Sequence, residues 1–117
     1  MHAFNRLSLA ALLLCLASAS SYADGLTITI SNDSTSNILV TVYDLNTYPV
    51  QRLLSNRLMN GFATVTVSLA PDSSGQGHLS WTAITADPDM RQCAHNDKPN
   101  LSDGATVHVH ADGDCGS

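Results

Sequence analysis

The sequence predicts an all-β protein, a small antiparallel β-sandwich or partly open barrel of about 6–7 strands with one disulfide. Three observations carry this. All ten acids are Asp and Lys occurs once, whereas helical surfaces use Glu and Lys freely. Thr and Val alternate repeatedly, which suits a pleated, half-buried surface. Clusters of Asn, Asp, Ser and Gly punctuate the alternating runs, as turns require.

The elements follow in order. Residues 1–23 read as a cleavable export signal: Arg6 is the lone early cation, Leu7–Leu16 is apolar, and Ser21-Tyr22-Ala23 ends on small residues. The apolar run is too short to span a membrane, which takes about 20 residues. Residues 24–117 then form a single domain of 94 residues. Leu26–Ile30 alternates with period two and is the first expected strand. Ser31–Asn37 is a polar turn, and Ile38–Leu45 is the second expected strand.

The stretch Thr47–Asn60 fits two readings. It makes a short helix with Pro49 in its first turn, or a strand around Leu54–Met59 that turns at Asn60-Gly61 into the next strand. The hairpin is preferred, because Asn-Gly before clean alternation is a strong type I′ signal. Ala63–Leu69, His78–Ala86 and Ala105–Ala111 are further expected strands, with Val107 and Val109 inward. Asp87–Gly104 holds Pro88 and Pro99 and reads as a long loop anchored by Cys93. Trp81 is the expected core anchor, and its indole N–H then needs a partner.

Cysteine usage fits an exported protein. Cys15 leaves with the signal, so Cys93 and Cys115 remain as an even pair without CxxC spacing. A structural disulfide between them is expected. The mature chain keeps four cations against ten acids, a net charge of −6 with His neutral. Such a surface repels nucleic acid and anionic lipid and favours a basic protein partner.

The residues able to carry chemistry are few. His108 and His110 stand at i and i+2 on the last strand, so both rings lie on one face. With a third ligand from His78 or His95 they would hold zinc or copper. Paired carboxylates recur in loops, and simple up-and-down topology would gather Asn32, Asp33, Asp72, Asp112 and Asp114 at one end. No G-x-S-x-G, H-E-x-x-H or P-loop is present. The sequence reading is therefore an exported, non-enzymatic binding module with an acidic surface, an inhibitor or envelope accessory. The alternative is a zinc- or copper-binding protein built on His108 and His110.

Overall fold

The computed structural model describes residues 25–89, 91–113 and 115. The export signal expected at residues 1–23 falls outside them. The described residues form seven strands: β1 (Leu26–Asn32), β2 (Ile38–Asp44), β3 (Gln51–Met59), β4 (Thr64–Leu69), β5 (Gly77–Thr85), β6 (Cys93–Leu101) and β7 (Thr106–Val109). They make two sheets, one ordered β4-β1-β7 and the other β3-β2-β5-β6. Every pairing between strands is antiparallel except β1–β7, which is parallel.

Alternation explains the sandwich. On β2, Ile38, Val40 and Val42 are fully buried and the residues between them are only half-buried. On β5, Leu79, Trp81 and Ala83 face inward. Opposite them lie Ile28 and Ile30 of β1, Val67 and Leu69 of β4, and Val107 and Val109 of β7. Each such side chain contributes about 1.5–3 kcal/mol by leaving water, and two apolar sheet faces stacked about 10 Å apart make one core.

The crossings between sheets are held by buried polar side chains. Asn32, fully buried, donates from Nδ2 to the carbonyls of Ser36, Met59 and Asn60. Its Oδ1 accepts from the Ser34 amide and hydroxyl. Near the other end, Asp44 accepts from the amides of Asn46 and Ala70. These bonds satisfy groups that would otherwise cost free energy in the interior.

Three expectations are corrected. Residues 51–59 are a strand and not a helix, but Asn60-Gly61 does not close a hairpin. β3 pairs with β2 in one sheet, whereas β4 pairs with β1 in the other. The turn runs from Asn60 to Ala63, whose amide donates to the Asn60 carbonyl at 2.9 Å. Its positive φ falls on Phe62, at 62°, the third position, as in a type II turn. Gly61 is instead required by crowding, since a Cβ there would sit 2.6 Å from the Thr35 carbonyl oxygen.

The expected loop 87–104 contains β6, an edge strand paired to β5. Much of β6 is exposed, so it shows no inward–outward alternation to read. Pro99 is tolerated there because an edge strand has one side without ladder bonds. The expected gathering of the turns at 31–37, 71–77 and 112–117 at one end also fails. Because β7 runs parallel to β1, their C-terminal ends lie together, while antiparallel β4 delivers residues 70–76 to the opposite end.

Candidate functional site

The parallel β1–β7 pair builds the histidine site. Ser31 lies opposite His108 and Asn32 opposite Val109. Asp33, just beyond β1, therefore reaches His108: Nδ1 lies 2.8 Å from Oδ2 and 2.9 Å from Oδ1. His110 Nδ1 lies 2.8 Å from Asp112 Oδ1. The His108 bond, with help from the Ser31 hydroxyl, holds the Asp33 carboxyl below its ordinary 3.8. An ionised carboxylate only accepts, so Nδ1 of His108 carries the proton. His110 also meets Trp81 edge-on, with ring centroids 5.5 Å apart and planes at 75°.

The other expected ligands stand elsewhere. His78 is on β5 and His95 on β6, in the sheet across the core from β7. Among the described residues, no three His, Cys, Asp or Glu side chains gather to hold a metal ion. The expected acidic cluster is divided as well. Asp33 and Asp112 share the His108–His110 end, whereas Asp72 caps its own turn at the far end, accepting from Ser74 and Gln76. Those bonds, the Ser74 hydroxyl first, hold its carboxyl below 3.8. Asp114 lies outside the described residues.

The backbone brings the cysteines into one neighbourhood. Cys93 and Gly113 form an isolated antiparallel bridge, exchanging N–H···O bonds at 2.9 and 3.2 Å. A Cβ at Gly113 would stand 2.6 Å from the Cys93 carbonyl oxygen, so the approach demands glycine. Cys115 follows two residues later and is exposed; Cys93 is half-buried.

One surface was not legible as a site. Among the described residues, the exposed large hydrophobics are Tyr48, Val50, Leu58 and Phe62, and all four lie on β3 or its flanking turns. Phe62 is 67% exposed and is held in the left-handed region by a well-fastened turn. The Phe62 amide donates to Ser34 O, and the Gly61 amide to Asn37 Oδ1. β3 also carries Arg52 and Arg57, both exposed, and neither makes an ion pair among the described residues. No acid occurs between Asp44 and Asp72, so the segment that carries β3 bears only positive charges, Arg52 and Arg57, on an acidic chain.

An open depression of about 430 Å³ is lined by Ser36, Asn37, Thr85, Ala86, Asp87 and Gln92. Its polar groups are largely committed to loop structure: the Gln92 amide donates to Thr85 Oγ1, and the Ala86 amide to the Asn37 carbonyl.

Comparison with known proteins finds no matching family model, no matching curated protein and no matching solved structure.

Proposed function

We propose that this chain is an exported, non-enzymatic interaction module that binds a protein partner through the β3 margin. The observation that carries this is that Tyr48, Val50, Leu58 and Phe62 are all exposed on or beside the strand that bears Arg52 and Arg57, neither of which makes an ion pair among the described residues. Aromatic residues and Arg dominate binding energy at protein interfaces, whereas scattered exposed apolar residues carry no such meaning. Phe62 adds a second reason. A non-glycine residue in the left-handed region costs about 1–2 kcal/mol, and such strain is retained where it serves a purpose.

Charge selects the partner. Net acidity alone favours a basic protein, but at contact the β3 margin presents Arg52 and Arg57. Screening limits distant charges to about 8 Å at physiological salt. The fitting partner surface is therefore apolar and edged by carboxylates. Export and a Cys93–Cys115 disulfide belong to the same proposal. The bond would fasten the segment after β7 to β6 beside the Cys93–Gly113 bridge.

The test is capture from the exported fraction of the source cells, comparing the wild type with Tyr48→Ala/Arg52→Ser/Arg57→Ser. A discrete protein held by the wild type and lost by the triple variant supports the reading. Equal capture by both refutes it. Capture abolished by a chelator and by His108→Ala/His110→Ala would move the function to the zinc or copper alternative.

A further inference from the structure

The sandwich has four edge strands, and three of them carry devices that block pairing with another chain. β3 has two register shifts against β2, a left-handed Asn56 at φ 47°, and charges at Arg52 and Arg57. β6 has a register shift, Pro99, Asp97 and Lys98, and its first residue is already bridged to Gly113. β7 is only four residues long. Bulges, prolines, charges and shortness are the usual protections of a sheet edge.

β4 has none of them. Its sequence Thr64-Val65-Thr66-Val67-Ser68-Leu69 pairs with β1 in unbroken register. It sits within residues 58–71, which contain no Asp, Glu, Lys, Arg or His. The Asn32 amide donates to the Ala63 carbonyl, so Ala63, Val65 and Val67 turn their backbone groups towards β1. Thr64 and Thr66 turn theirs outward.

We infer that two copies of this chain pair antiparallel along β4, extending β4-β1-β7 into one continuous sheet across a twofold axis. The strand is self-complementary in that arrangement. Centred on Val65, the outward N–H and C=O of Thr64 meet those of Thr66 from the second copy, and symmetry repeats the exchange. Thr64 and Thr66 then stand side by side on the exposed face, a favourable cross-strand pair. Val65 meets Val65 on the other face. The absence of charge on 58–71 keeps two acidic chains from repelling at the contact. This pairing is isologous and closes on itself. It does not rest on the β3 reading.

Sedimentation of the purified exported protein over a wide concentration range tests it. The expected result is a twofold rise in mass with concentration, accompanied by slowed amide exchange at Thr64 and Thr66. Thr66→Pro removes only an outward N–H, and Thr66→Lys adds an edge charge. Each is expected to remain monomeric, while Arg52→Ser still dimerises. If Thr66→Pro fails to fold, Thr66→Lys decides. A wild type that stays monomeric, a dimer that survives Thr66→Lys, or one abolished by Arg52→Ser overturns the inference.

Discussion

Asn32 and Met59 tie the two sheets together: the buried Nδ2 of Asn32, at the end of β1, donates to the Met59 carbonyl at the end of β3, 3.2 Å away. The same nitrogen reaches Asn60, so the turn that presents Phe62 is anchored from inside the core. Asn32→Ala strands these carbonyls without a donor. The expected loss is about 2–3 kcal/mol of unfolding free energy, since an unsatisfied buried group costs about 1–3 kcal/mol. Urea unfolding would show a lower midpoint with an unchanged slope.

Asp33 gives the fold a defined acid limb. Its carboxyl is held below 3.8, chiefly by His108, and its ordinary value returns on unfolding. A group with a depressed folded pKa stabilises fully above its unfolded value and loses that contribution as pH falls through the folded one. Thermal midpoints followed downward from pH 5 should fall more steeply in the wild type than in Asp33→Asn. Parallel curves would mean that the His108 contact does not form in solution.

The proposed Cys93–Cys115 bond closes a loop of 22 residues. By the chain-entropy argument such a crosslink is worth roughly 3 kcal/mol. Cys115→Ser should cost about that much in oxidising buffer and nothing once the wild type is reduced. A mass lower than the reduced protein's by about 2 Da, the loss of two hydrogens on bond formation, would identify the bond directly.

The parts of the fold legible in the sequence are those with one wet and one dry face. Ile28 and Ile30, or Val107 and Val109, alternate with polar neighbours and were readable as strands. β6 was not, because most of it is exposed, its burial does not alternate and its sequence has the pattern of a loop. The Asn60-Gly61 signal marked a turn correctly but not its partner strands, since pairing across sheets depends on the whole topology. Trp81 was readable as core, at 2% exposure, yet its Nε1 is buried without a hydrogen-bond partner among the described residues, and its ring meets that of His110 at 75°. The His108–His110 spacing was readable. Its Asp33 partner was not, because the parallel β1–β7 pairing that unites them joins residues 75 apart. The β3 margin was hidden for a related reason: Leu58 and Val50 look like core residues until the fold leaves them outside.

Phe62→Gly is the decisive variant, because it separates stability from binding. Glycine accepts a φ of 62° without strain, which offsets its larger unfolded-state entropy, and the lost ring is 67% exposed. The expected outcome is a thermal midpoint equal to or above that of the wild type, together with loss of the captured partner. A variant that keeps full partner binding would contradict the assignment of the β3 margin as the docking surface.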